Sequence, residues 1–100
     1  MSTNVFVTYP GTPASRFDRE YYLNIHMPLV MNSWKKYGME GYTTFFPEGE
    51  VSGTMVTCEL RFRDDDALAA ALAAEETPAV MEDIVNYTDI EAGFFRLTPL

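Results

Sequence analysis

The sequence predicts an α+β fold in which four strands and two helical regions alternate in the order β-α-β-β-α-β. Three observations lead to this prediction: short β-branched and aromatic runs, helix-capping residues at the start of longer segments, and the order of the two kinds of segment. The chain has 100 residues, 47% of them hydrophobic. We therefore expect one globular domain that covers residues 1–100.

The first half of the chain is expected to begin with a strand and a long helix. Residues 4–9 are β-branched and aromatic and are followed by a Pro-Gly turn, which is typical of a strand. Ser15 and Asp18 fit a capping box, and the helix that they start is expected to end at Gly38. Pro28 lies inside this helix and removes a backbone hydrogen bond, so we expect a kink or a loosened turn there.

The second half supplies three strands and a helical region in two parts. Residues 42–46 are expected to form the second strand, before a turn-rich loop, and residues 54–62 the third. The acidic run 64–66 opens an alanine-rich helix, where negative charge favours a helix start. Thr77 and Pro78 predict the N-cap and first residue of a short helix through Val85, and the last strand is expected at residues 90–97.

This order of elements is that of the ferredoxin-like arrangement, an antiparallel four-stranded sheet with both helical regions on one face. The third strand has one apolar side, formed by Val56, Cys58, Leu60 and Phe62, and carries Thr57, Glu59 and Arg61 on the other. A chain of this length cannot cover both faces of the sheet. We therefore expect a homodimer that buries the exposed face.

The charge balance excludes several classes of partner. Seven basic and fifteen acidic residues give a formal net charge of −8, which argues against nucleic-acid binding and against docking to an anionic membrane. No apolar run approaches the roughly 20 residues of a membrane span, and the first residues do not resemble a secretory signal. A single cysteine fits a reducing compartment. We expect a cytoplasmic protein without nucleic-acid or membrane partners.

Cofactor motifs are absent from the sequence. One histidine and one cysteine cannot form a zinc site of the usual type. The glycine patterns that bind dinucleotides or phosphates are also missing. We therefore expect no metal and no cofactor.

Three residues spaced by four along the first predicted helix are the expected catalytic group. His26, Tyr22 and Asp18 share a helix face, and together they offer acid/base chemistry near neutral pH. We expect His26 to move a proton and Tyr22 to donate a hydrogen bond to a substrate oxygen. Asp18 would orient the imidazole through Tyr22 or water, because eight helical residues span about 12 Å. The structural alternatives are a packed histidine, a packed tyrosine and a helix-capping aspartate.

Four further residues are expected to contact a substrate, namely Tyr9, Trp34, Tyr42 and Cys58. Each has a structural alternative as a packing residue, and Cys58 in particular has that of a small buried hydrophobe. Tyr21 is expected to pack in the core.

The first helix also carries a family resemblance. The run Phe17-Asp18, Tyr21-Tyr22, His26 and Pro28-Leu29-Val30 resembles the signature of the EthD family, small proteins that form dimeric α/β barrels. The family is named for a member linked to ethyl tert-butyl ether degradation. The resemblance implies a pocket that contains His26, either between the helices and the sheet or near the barrel mouth. Similar folds host methylmuconolactone isomerisation, polyketide-type dehydration and cofactor-independent oxidation of aromatic compounds.

These observations lead to one functional hypothesis and two alternatives. The leading hypothesis is a homodimeric EthD-type enzyme of catabolism or secondary metabolism. It would act by isomerisation, dehydration or oxidation on a small apolar carbonyl, lactone or phenolic compound. The first alternative is a non-catalytic accessory protein that holds an apolar or aromatic metabolite for an oxygenase system. The second is haem binding through His26, since related barrels hold haem.

Overall fold

The computed structural model describes residues 2–12, 14–47, 53 and 55–96. This part of the chain contains four strands, with bounds β1 Thr3–Tyr9, β2 Met39–Phe45, β3 Val56–Phe62 and β4 Gly93–Phe95. The regular helices are α1 Arg19–Tyr21, α2 Met27–Trp34, α3 Asp65–Leu72 and α4 Thr77–Glu82. A π-helical turn Tyr22–His26 joins α1 to α2, and 3₁₀ turns Lys35–Tyr37 and Asp83–Asn86 follow α2 and α4.

The strands form one antiparallel sheet in the order β2-β3-β1-β4. Val5 lies opposite Leu60 and Val7 opposite Phe94, which fixes the register of the central strands. Alternate residues of β1 and β3 are buried. The α+β class and the ferredoxin-like arrangement are confirmed, and the apolar side predicted for the third strand is the buried side.

The first helix starts three residues later than the sequence predicts. Asp18 has an extended backbone, with φ −86° and ψ 96°, and its carboxylate accepts a hydrogen bond from the backbone N–H of Tyr21 at 3.1 Å. An antiparallel bridge between Phe17 and Thr88 keeps the preceding segment extended. The capping box with Ser15 as N-cap is therefore wrong, because Asp18 is itself the N-cap. The predicted end is correct, since Gly38 has φ 111°.

The loosened turn expected near Pro28 takes the form of the π turn. The backbone N–H of Met27 donates to the carbonyl of Tyr22, five residues earlier. Pro28 has no N–H to donate to the carbonyl of Asn24, four residues earlier. The α-helical hydrogen-bond pattern is therefore interrupted next to the π turn. In an α-helix each four-residue step rotates a side chain by about 40°. The wider π turn offsets this rotation. Four side chains spaced by four residues therefore stay on the side that faces the sheet, and all four are buried: Tyr22, His26, Val30 and Trp34.

The second helical region differs from its prediction in the role of Thr77. This residue is the first of α4, and Glu76 precedes it as N-cap. Its hydroxyl donates to the carbonyl of Ala71 at 2.5 Å and accepts from Trp34 Nε1 at 3.0 Å, so Thr77 connects α3 and α4 to α2. The start of α3 is as predicted, because the Asp64 carboxylate accepts from the N–H of Ala67 at 2.8 Å.

Strand bounds also differ at their ends. The last strand is shorter than predicted, because only residues 93–95 pair with β1. Parts of three predicted segments, at positions 48–50, 54 and 97, lie outside the described residues. In the described part of the chain, no helix has the length and apolar character needed to cross a membrane.

The sheet face opposite the helices is not covered by any of the described residues. Phe45 is 53% exposed and Phe95 is 41% exposed on that face, where Phe95 stacks on Phe6 at a ring-centroid distance of 5.9 Å. Beside them Arg61 donates hydrogen bonds to Glu59 and Thr43. The face therefore combines exposed aromatic rings with a hydrogen-bonded polar cluster.

Candidate functional site

The single histidine forms the centre of the candidate site. His26 lies on the π turn and is only 4% exposed. Its Nδ1 atom is 2.9 Å from Oδ2 of Asp83, which begins the 3₁₀ turn after α4. The pair therefore joins two helical segments that are 57 positions apart in the sequence.

Two neighbouring side chains hold the Asp83 carboxylate in place. The Tyr21 hydroxyl donates to Asp83 Oδ1 at 2.6 Å, and the amide of Asn86 donates to the same oxygen at 3.0 Å. Burial acts to raise the pKa of Asp83, but hydrogen bonds from Tyr21, His26 and Asn86 outweigh it and lower the pKa below its ordinary value. Asp83 is therefore ionised at neutral pH.

The ionised carboxylate determines the tautomer of His26. A carboxylate can only accept hydrogen bonds, so Nδ1 of His26 must carry the proton in this pair. Burial lowers the pKa of the imidazole, and the hydrogen bond and charge of Asp83 partly oppose that shift. At neutral pH the ring is therefore uncharged, and Nε2 holds a free lone pair that can accept a proton.

Aromatic side chains surround the imidazole. Tyr22 stacks on the ring at 5.7 Å between centroids, and Tyr87 lies 4.6 Å away. The hydroxyls of Tyr9 and Tyr87 are 2.6 Å apart. Burial raises the pKa of Tyr9 to about 12 and raises those of Tyr22 and Tyr87 further. These three phenols stay protonated at physiological pH and can serve as hydrogen-bond donors but not as bases.

A small cavity borders His26 between the helices and the sheet. Its volume is about 30 Å³. A water molecule needs about 10–15 Å³ of such space, so the cavity has room for two or three waters. The Cys58 thiol also borders it, and burial raises the pKa of that thiol, which keeps it protonated. The lining is mostly apolar and includes Val7, Tyr9, Tyr22, His26, Trp34, Cys58, Met81 and Phe94.

The structure brings together five of the seven residues singled out in the sequence. His26, Tyr22, Tyr9, Trp34 and Cys58 all line the cavity. Tyr42 does not line it and lies on the edge strand β2. Asp18 does not line it either, since its carboxylate caps the first helix.

The carboxylate that orients the imidazole is Asp83, which corrects the role expected for Asp18. Asp83 was missed because its partner is distant in sequence, but a local signal exists. Val80, Asp83, Ile84 and Tyr87 have the i, i+3, i+4, i+7 spacing of a buried helix face. An acidic residue on such a face indicates a polar partner inside the protein. Tyr21, expected only to pack, also belongs to the site through its bond to Asp83.

The described residues contain no group of three His, Cys, Asp or Glu side chains placed to hold a metal ion. The chemistry available in this part of the chain is that of a neutral imidazole, its carboxylate partner and protonated phenols. Such a set can transfer protons and stabilise negative charge on an oxygen.

Comparison with known proteins supports the same fold. No family model matches the sequence, and no curated protein matches it. Among solved structures, an EthD-like protein from Ralstonia eutropha JMP134 is 27% identical with a TM-score of 0.83, over 96% of this chain and 89% of that one. An ethyl tert-butyl ether degradation (EthD) family protein from Bacillus halodurans C-125 is 19% identical with a TM-score of 0.71, over 98% and 100%.

A third structure has the same fold at lower identity. SnoaB from Streptomyces nogalater, a cofactor-independent oxygenase crystallised as a mutant, is 14% identical with a TM-score of 0.62, over 99% of this chain and 94% of that one. The first structure confirms the resemblance to the EthD family, and the second and third share the fold.

Proposed function

We propose that this EthD-like chain is a small enzyme that uses His26 as a proton acceptor and donor on an apolar carbonyl, lactone or phenolic compound. One observation carries the proposal: a buried, neutral imidazole is hydrogen-bonded through Nδ1 to an ionised carboxylate and borders a cavity. That arrangement leaves Nε2 as the reactive atom. The proposed chemistry requires no cofactor.

The first step is proton abstraction next to a substrate carbonyl. Nε2 of His26 takes the proton, and the electron pair of the broken C–H bond moves onto the carbonyl oxygen as an enolate. A protonated phenol, proposed to be that of Tyr22, donates a hydrogen bond to this oxygen. The imidazolium that forms is stabilised by Asp83, whose charge offsets the cost of burying a cation.

The second step returns the proton from His26 to the substrate. Delivery to a different carbon completes an isomerisation, and delivery to a leaving hydroxyl completes a dehydration. The fold is compatible with oxidation as well, since SnoaB, a cofactor-independent oxygenase, shares it. We propose isomerisation or dehydration ahead of oxidation, because both reactions need only the proton-transferring groups that line the cavity.

The active assembly is proposed to be a homodimer. The exposed rings of Phe45 and Phe95 and the half-buried ring of Phe6 form an apolar surface on the uncovered sheet face. A second copy placed against it would remove these rings from water, a gain of about 25 cal/mol for each Å² of apolar surface. This proposal agrees with a sheet that has helices on one face only.

A proton-exchange assay tests the catalytic proposal without knowledge of the natural substrate. The purified protein is incubated in deuterium oxide with neutral carbonyl and lactone compounds, such as β-tetralone and α-angelica lactone, and deuterium uptake is followed by NMR. We expect His26→Gln to slow the protein-catalysed exchange by about 10²- to 10⁴-fold, the usual contribution of a positioned acid/base group. Asp18→Asn is the matched control and is expected to leave the rate unchanged.

The assay also separates this proposal from the accessory-protein alternative. Exchange at the wild-type rate in His26→Gln would exclude the histidine as the base. Tight binding of these compounds without any exchange would favour a protein that holds a metabolite for a partner oxygenase.

A further inference from the structure

The cavity beside His26 is too small for the proposed substrate. Its volume of about 30 Å³ has room for only two or three water molecules. A ring compound that places one atom beside Nε2 must therefore occupy further space. The structure contains such space directly next to the cavity.

A larger groove adjoins the cavity on the helix side of the sheet. Its volume is about 390 Å³, and it shares Trp34, Leu60, Met81 and Phe94 with the cavity. The groove extends between the sheet and α3, where Leu68 and Leu72 form one wall. The cavity and the groove therefore have part of their walls in common.

The lining of the groove is apolar with one exception. Arg96 lies at its edge, and its guanidinium is already paired with the Asp65 carboxylate at 2.8 Å. The chain as a whole carries a formal charge of −8. An anionic ligand would therefore be repelled by the protein without gaining a free cation in the groove.

Two residues of the groove expose large apolar surfaces to solvent. Phe94 is 53% exposed and Leu72 is 52% exposed. Covering such side chains removes apolar surface from water and favours an apolar occupant.

We infer that this groove binds the ring portion of an uncharged aromatic or alicyclic compound, whose oxygen-bearing end reaches His26 past Phe94 and Met81. The inference rests on the proposed function only in assigning the ring compound to the reaction at His26. Binding in the groove itself needs neither His26 nor turnover.

Two fluorescent probes with the same ring skeleton test the binding chemistry. N-phenylnaphthylamine is neutral, and anilinonaphthalene sulfonate adds one negative charge. We expect the wild-type protein to bind the neutral probe at least about tenfold more tightly than the sulfonate, since the sulfonate finds no free cation. Equal affinity, or preference for the sulfonate, would overturn the inference.

Matched variants locate the probe. Leu72→Glu places a charge in the groove and is expected to weaken binding of the neutral probe by about tenfold or more. Ile25→Glu changes a residue that is also 52% exposed but does not line the groove, and it should bind as the wild type does. Phe94→Ser and Phe45→Ser form a second pair, each 53% exposed, and only the former should weaken binding.

Two results would exclude the groove as the binding site of the probe. Wild-type affinity in both Leu72→Glu and Phe94→Ser would overturn the groove as the binding site. A change of assembly mass in Leu72→Glu would show that a second copy of the chain covers the groove, which also overturns the inference. His26→Gln should keep full probe affinity, so loss of exchange activity in that variant tests the proposed function separately.

Discussion

At the scale of single residues, the hydrogen bond between His26 and Asp83 controls the chemistry of the site. The carboxylate holds the proton on Nδ1, and burial keeps the ring neutral. Tyr21 and Asn86 in turn hold the carboxylate. A neutral histidine fixed in this tautomer is prepared to accept a proton at Nε2.

Replacing Asp83 by asparagine is expected to lower the pKa of His26 further. In the wild type the hydrogen bond and charge of Asp83 raise that pKa against the larger effect of burial. Asparagine removes the charge, so burial acts with less opposition. Titration of the imidazole by NMR measures the shift. Asp18→Asn serves as the control and should not change the pKa of His26. A pKa shift in Asp18→Asn but not in Asp83→Asn would contradict the pairing of His26 with Asp83.

The folded protein is expected to lose stability as the pH falls below the ordinary histidine pKa of 6.5. Burial lowers the pKa of His26 in the folded state, so between the two pKa values only the unfolded chain binds the proton. Stability therefore increases with pH across this window. Denaturant unfolding of the wild type and His26→Gln at several pH values measures the effect. The slope of unfolding free energy against pH should be steeper for the wild type inside this window and equal for the two proteins above it. Equal slopes at every pH would count against a lowered pKa of His26.

At the scale of elements, the π turn places the two proposed catalytic residues. Tyr22 and His26 lie within it, and Pro28 follows directly after Met27. Because Pro28 lacks an N–H, the backbone cannot continue the regular α-helical pattern through Asn24. The turn and the proline together orient His26 toward the sheet.

Pro28→Ala is expected to let the helix become regular and to rotate His26 away from Asp83. The restored N–H can donate to the carbonyl of Asn24, which favours the α-helical form. We expect the imidazole pKa to return toward its ordinary value, as measured by NMR. Pro78→Ala is the matched control, because Pro78 lies in the first turn of α4 where a missing N–H costs little. An unchanged His26 titration in Pro28→Ala would contradict the role of the turn.

The sequence predicts elements well where their signals are local. The alternation of apolar residues along β3 and the left-handed glycine at position 38 depend on neighbours in the chain, and both were predicted correctly. The start of the first helix depends on the distant bridge between Phe17 and Thr88, and its prediction was wrong. Asp83 was missed for the same reason, since its role arises only when the two helical regions pack together.

At the scale of the whole molecule, the uncovered sheet face predicts self-association. We expect the purified protein to have twice the monomer mass by native mass spectrometry. Phe6→Glu puts a charge on a central strand of that face and should yield monomers. Val85→Glu, a control at a residue that is 68% exposed on the last 3₁₀ turn, should keep the dimer. A monomeric wild type at micromolar concentration would contradict this assembly.

The most direct test of the account is the protonation state of the single histidine. Nitrogen-15 labelling of histidine in untagged protein gives signals from His26 alone. At neutral pH we expect a neutral ring with the proton on Nδ1, and a pKa below 6.5. A ring protonated on Nε2 alone, or an imidazolium that persists at neutral pH, would contradict the account.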